Sequence, residues 1–214
     1  MSVVRSAART RRHPIDKRVI DGVVLAGGRS RRMGRDKALL LLDGVPLYVR
    51  SARLLLEAGC SGVAVIGRDE LPAQPEVDEQ WSDLHGGEGP VDGLITALTS
   101  SRGEIVTVLA VDLPDVPSES LIRTRRLLAE RSDVDVALLR DESGRIAIAG
   151  SWRSAAALPN ARTFFANGGR SVLELIDGLS LATEVVDESA LLNLNRPDDW
   201  KKRVGSPSRG FLAD

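Results

Sequence analysis

Three short apolar runs constrain this chain more than anything else in it. Residues 19–26 (VIDGVVLA), 63–67 (VAVIG) and 105–112 (IVTVLAVD) are rich in valine, isoleucine and leucine. Each is too short for a buried helix and lacks a polar face, so each is read as a strand covered on both sides. Helical patterns separate them. One runs from Pro46, suited to a first turn, to about Ala58, where Gly59 ends it. A second spans 91–100 behind a group of glycines, and a third spans 118–131 with Ser118 as its cap. Buried strands alternating with helices predict a mainly parallel, three-layer α/β sheet.

The remaining segments fit that plan. Asp43-Gly44 signals a tight turn, and a Pro-rich loop follows the second strand. Residues 134–150 read as two strands reversing at Ser143-Gly144. Residues 171–178 read as a helix opened by a capping box, Ser171 with Glu174, and closed by Gly178. A late strand is expected at 182–187 and a last helix from Pro197. There is no repeat and no linker, so one domain is expected over 19–203. Residues 1–18, basic but without the apolar middle of a secretory signal, are expected to form a disordered arm, and 204–214 a flexible tail.

Composition narrows the class. A chain of 214 residues can bury roughly 70% of its unfolded surface. With aromatics at 3%, aliphatic side chains and alanine must fill the core. A net charge of −1 argues against a general nucleic-acid or membrane binder. A single cysteine, Cys60, excludes an internal disulfide and suits a reducing compartment, so a cytoplasmic location is expected; packing beside a turn accounts for it. No apolar run is long enough to span a bilayer.

The chemistry gathers where the strands end. Residues 25–40, LAGGRSRRMGRDKALL, place Gly27 and Gly28 directly after the first strand, followed by Arg29, Arg31, Arg32, Arg35 and Lys37. Glycines let backbone amides approach a nucleotide, and the cations suit a polyphosphate. The loop is neither a P-loop, because Lys37 stands between Asp36 and Ala38, nor a dinucleotide fingerprint, because its glycines are misplaced. Asp112 ends the third strand on the same sheet edge, where a carboxylate can hold Mg²⁺. Residues 83–93, DLHGGEGPVDG, add Asp83 as a candidate for ribose or base and a helix N-terminus behind glycines.

Together these segments resemble the MobA-type nucleotidyltransferases, the molybdenum cofactor guanylyltransferases. LAGGRSRRMGRDK is similar to that family's L-A-G-G-x-x-x-R-M-G-x-D-K signature. DLHGGEGPVDGL is similar to its D-x-x-P-G-x-G-P-L-x-G segment, VLAVDLPDVP to its strand ending in C-D-x-P, and NLNRPDDW to its N-x-N-x-P segment. The resemblance covers about 19–200. It implies a Rossmann-like nucleotidyltransferase fold, Mg²⁺ as cofactor, and transfer of GMP from GTP to Mo-molybdopterin with release of pyrophosphate. It implies nucleotide binding by Leu25, Ala26, Gly27, Gly28, Arg32 and Asp83. Lys37 corresponds to a phosphate-contacting lysine, Asp112 to a ligand of metal and nucleotide, and Asn195 to a position near the metal or pterin phosphate. Molybdoenzyme maturation proteins are candidate partners.

Several positions depart from the family pattern and bear on base and acceptor choice. Ile66-Gly67 stands where an asparagine is found, Gly86 replaces a proline, and Asp92 changes GPLAG to GPVDG. SGRIAIAG lacks the histidine or asparagine-histidine before the mid-chain strand. The alternatives are a molybdenum cofactor cytidylyltransferase, a 2-phospholactate guanylyltransferase, or a non-catalytic nucleotide-binding protein.

Overall fold

The computed structural model describes residues 19–27, 37–67 and 70–194. Its strands are β1 (Gly22–Leu25), β2 (Leu41–Leu42), β3 (Val45–Pro46), β4 (Val63–Ile66), β5 (Glu79–Trp81), β6 (Ile105–Ala110), β7 (Val136–Asp141), β8 (Ile146–Arg153) and β9 (Leu181–Val186). The α-helices are α1 (Leu47–Glu57), α2 (Pro90–Ser100), α3 (Ser118–Glu130), α4 (Ser154–Ala166) and α5 (Val172–Ile176). Seven strands form one sheet in the order β5-β4-β1-β6-β8-β7-β9. All neighbours are parallel except β8, which is antiparallel to both β6 and β7.

The period-2 geometry of a strand explains why the central runs are apolar throughout. On β1, Val24 packs with Leu47, Tyr48 and Val65 on one face. Its neighbours Val23 and Leu25 pack with Val91, Leu94 and Ile95 of α2 on the other. Helices α1 and α3 therefore cover one face, and α2 and α4 the opposite one, giving a three-layer Rossmann-like α/β fold. Burying each such aliphatic side chain contributes about 1.5–3 kcal/mol. A buried polar string ties α3 to the sheet. Arg125 donates to Asp21 Oδ2 at 2.8 Å and to Thr107 Oγ1 at 2.9 Å, and Ser151 Oγ lies within 3.1 Å of the hydroxyls of both Thr107 and Thr124. Cys60 sits beside this string with its thiol pushed up to about 11 by burial, which leaves it a packing residue rather than a nucleophile.

Local signals place most turns correctly. Asp43 and Gly44 both take positive φ, 51° and 77°, which is what a tight turn between β2 and β3 requires. Ser171 Oγ accepts the Glu174 amide at 3.4 Å and caps α5. Ser118 does not cap α3. Pro117 occupies that place without a side-chain bond, and Ser118 begins the helix. Two elements lay outside the sequence reading. Short, polar β5 pairs with β4 inside the segment read as a Pro-rich loop. Helix α4 contains Pro159, ordinarily a helix breaker, yet Ala157 and Ala161 are fully buried against the α2 side of the core. The helix expected from Pro197 and the segments 1–18 and 204–214 lie outside the described residues.

Candidate active site

Parallel strands deliver their carboxyl ends to one edge of the sheet, and ligand sites form where loops leave that edge. A cleft of about 1110 Å³ opens there. Leu25, Ala26 and Gly27 line it after β1, Asp112 after β6, Asp83 after β5, and residues 85–90 ahead of α2. The described chain resumes with one 3-10 turn, Lys37–Leu39. That turn sets Lys37 Nζ 3.1 Å from Asp112 Oδ2. The two side chains are 11% and 21% exposed, so their charges act on a bound anion through less water than at an open surface. Asp112 is fixed from behind. The Val111 amide donates to the Leu25 carbonyl at 3.0 Å, continuing the β1–β6 ladder, and the Asp112 carbonyl accepts the Leu194 amide at 3.1 Å.

Asp83 approaches the glycine loop from the opposite wall. A Cβ on Gly27 would lie 3.2 Å from Asp83 Oδ2, and a Cβ on Gly93 would lie 3.5 Å from Oδ1 and 3.2 Å from Leu25 Cδ2. A side chain at either position would press on the Asp83 carboxylate or Leu25, so both glycines mark the close approach of β1, α2 and Asp83. Leu25, Ala26, Gly27, Lys37, Asp83 and Asp112, singled out from sequence, all line the same cleft. Gly28, Arg32 and Asn195 lie outside the described residues, as do Arg29, Arg31 and Arg35.

Three lining or supporting residues were missed by sequence reasoning as parts of the site. Asp92, fully buried in the first turn of α2, accepts the amides of His85 at 3.1 Å, Gly87 at 2.9 Å and Glu88 at 3.2 Å, and meets His85 Nδ1 at 2.9 Å. Burial opposes its ionisation, but the His85 ring and the three amides outweigh burial and hold the carboxyl below its ordinary range. The GPVDG departure thereby has a physical account: with glycine at 86, a side-chain carboxylate holds the loop. An acid in the first helical turn behind a glycine run was the available signal. Arg170 secures the other side of this loop. Its Nη2 donates to Glu88 Oε2 at 2.7 Å, its guanidinium lies 4.0 Å from the Phe165 ring centroid, and Phe165 in turn packs on His85 at 4.8 Å. Arg145, at the β7–β8 turn, also lines the cleft.

Asp92→Ala is expected to lower stability by about 2–3 kcal/mol, since loop amides lose a charged acceptor. Because the folded carboxyl titrates low, this stabilisation is complete above the ordinary aspartate range and fades as pH falls through the depressed value. Chemical denaturation of parent and variant at pH 7 and at pH 3 checks both parts. A difference that is unchanged at the lower pH would assign Asp92 a role independent of its charge.

Residues 22–183 match the family model described as the MobA-like NTP transferase domain. A probable molybdenum cofactor guanylyltransferase from Synechococcus elongatus is 32% identical over 191 residues, covering 84% of this chain and 95% of the relative. One from Opitutus terrae is 33% identical over 188 residues, covering 83% and 91%. Among solved structures, molybdopterin-guanine dinucleotide biosynthesis protein A from Archaeoglobus fulgidus superposes with a TM-score of 0.68 at 24% identity, covering 85% of this chain and 95% of that one.

Proposed function

Since the chain belongs to the MobA-like NTP transferase family, we propose that it is a molybdenum cofactor guanylyltransferase. It transfers GMP from GTP to Mo-molybdopterin, forming the guanine dinucleotide and pyrophosphate. The observation that carries this reading is the Lys37–Asp112 pair, 3.1 Å apart at the mouth of β1 and β6 and in one cleft with Asp83. Curated relatives with about a third of their residues identical, named as guanylyltransferases, support the choice of substrate.

The reaction asks mainly for alignment and charge. An acceptor phosphate oxygen attacks the α-phosphorus of GTP, a new P–O bond forms, and the bond to the β-phosphate oxygen breaks as pyrophosphate leaves. The acceptor is already an anion, so no strong general base is needed. The barrier lies in bringing two polyanions together and in the charge gathering on the leaving group. Lys37 supplies a cation at that place, and Leu25, Ala26 and Gly27 supply backbone for the nucleoside, with Gly28 and Arg32 continuing the same loop. Asp83 faces the base or ribose. Mg²⁺ fits the donor set: the partly exposed carboxylate of Asp112 is a hard oxygen ligand, and this ion commonly takes one or two carboxylates with substrate phosphates and water. When bound it would neutralise phosphate charge. Asn195, outside the described residues, is assigned from the family resemblance to the metal or the pterin phosphate. We place the reaction in the cytoplasm, with hand-off of product to molybdoenzyme maturation proteins; among the described residues no helix is long and apolar enough to cross a membrane.

Base choice tests the reading. Guanine offers an O6 acceptor with N1–H and N2–H₂ donors, which backbone groups and one carboxylate can satisfy. Asp83, the carbonyls of the 84–89 loop and amides of the β1 loop provide such partners even with Ile66 in place of an asparagine. GTP is expected to exceed ATP and CTP by at least about tenfold in kcat/KM, roughly one good buried hydrogen bond. Competition of equal GTP, ATP and CTP for Mo-molybdopterin measures it. Preferential formation of the cytosine dinucleotide would replace guanylyl transfer by cytidylyl transfer.

A further inference from the structure

The cleft has two flanks, divided by Asp112. On the β1 side lie the glycine loop and Asp83. On the other side the sheet continues through β8 and β7, whose connecting turn stands on the same edge because β8 is antiparallel to both β6 and β7, so that β6 and β7 end together. Arg145, the last residue of that turn, faces this second flank together with Ile146, Ile148, Leu191 and Asn193.

Its guanidinium is held in one orientation. The Nε donates to Asp141 Oδ2 at 2.9 Å and Nη2 donates to the Leu191 carbonyl at 2.8 Å, while Nη1 has no partner among the described residues. Asp141 is itself buried and anchored, accepting the Ser143 hydroxyl at 2.6 Å and the Arg145 amide at 2.9 Å. The Ser143 hydroxyl, and after it the Arg145 contacts, hold the Asp141 carboxyl below its ordinary range against the cost of burial. The carbonyl that Arg145 grips belongs to the segment whose Leu194 amide binds Asp112. Arg145 is therefore an oriented cation, 46% exposed along its side chain, and its anchor at Leu191 lies on the segment that hydrogen-bonds to Asp112 through the Leu194 amide.

We propose that Arg145 binds the phosphate monoester of the acceptor, on the opposite side of Asp112 from the nucleoside. This deepens the guanylyltransferase reading and rests on it for the identity of the acceptor. Two oppositely placed cations explain how a cleft accommodates two polyanions: Lys37 faces the nucleotide phosphates and Arg145 the incoming one. A planar guanidinium with one η-nitrogen available suits a phosphate oxygen better than a lysine ammonium would, and its existing bonds limit the entropy lost on binding. The flank around it is apolar, with the half-buried Ile146 and Ile148 offering a surface to the uncharged part of the acceptor.

The test compares the parent with Arg145→Ala and Arg145→Lys. Transfer from saturating GTP with varied Mo-molybdopterin should show the acceptor KM raised roughly 10–100-fold in Arg145→Ala, the scale of a lost charge-assisted hydrogen bond. The kcat and the calorimetric affinity for GTP should change less than about twofold, and Arg145→Lys should recover part of the KM. Inorganic phosphate serves as an acceptor-independent probe, with ³¹P line broadening expected in the parent and lost in Arg145→Ala. An unchanged acceptor KM, or a matching loss of GTP affinity, would overturn the proposal. So would equal phosphate binding by parent and Arg145→Ala, whatever the transfer assay shows. Absence of transfer to molybdopterin alongside Arg145-dependent phosphate binding would instead overturn the substrate reading and leave the anion subsite standing.

Discussion

Lys37→Ala should lower turnover by roughly 10²–10³-fold, the effect of removing one preorganised charge partner from a transition state, or about 3–4 kcal/mol. The expectation follows from where the ammonium sits. Lys37 is nearly buried, held against Asp112, and lines the cleft together with Leu25, Ala26 and Gly27 at the end of β1. Its Nζ acts on charge that develops during reaction, so kcat should fall more than GTP affinity. Asp112 remains partly exposed when its partner is gone, and the thermal midpoint should move little. Steady-state kinetics with a melting curve for each protein checks this. A folded variant with near-normal turnover would remove Lys37 from the mechanism and leave it a structural partner of Asp112.

The second large effect is expected at Asp112. Asp112→Asn keeps the side-chain size but replaces a hard anionic oxygen donor with a neutral amide. Turnover should fall by a factor comparable to that of Lys37→Ala, and Mg²⁺ should no longer strengthen GTP binding as it does in the parent. Calorimetric titration of GTP with and without Mg²⁺ measures the difference directly. Equal help from Mg²⁺ in parent and variant would make Asp112 a structural residue and move the metal elsewhere. The two side chains are in contact, so the double variant should lose less than the product of the single losses. Simple multiplication of the two effects would mean that they act independently.

Much of this organisation is legible in local sequence. Val23, Val24 and Leu25 are apolar on consecutive positions because helices cover both faces of β1, and that pattern alone implies a central parallel strand. The Asp43-Gly44 turn and the Ser171 cap are short-range devices whose conformations depend on neighbouring residues, and both occur as expected. Helix α4 was illegible for the opposite reason. Pro159 is a local breaker, and only packing of Ala157 and Ala161 against distant parts of the core outweighs it. The edge strand β5 was hidden because one neighbouring strand, not two covered faces, defines it, so Glu79 and Gln80 need no apolar pattern.

The same division runs through the site. By itself the sequence determined the mainly parallel α/β plan, and it singled out Lys37, Asp83 and Asp112, which the fold brings to one cleft, since each stands beside a motif defined by spacing. Only tertiary structure decided which residues complete them. Asp92 reaches back to amides from residues 85, 87 and 88, while Arg145 joins Asp141 to the carbonyl of Leu191, 46 positions away. A motif records chemistry that neighbouring residues perform together. A charged group's task also depends on what the fold brings within about 3 Å of it, and burial and hydrogen-bond geometry fix that across distances along the chain that no local pattern encodes.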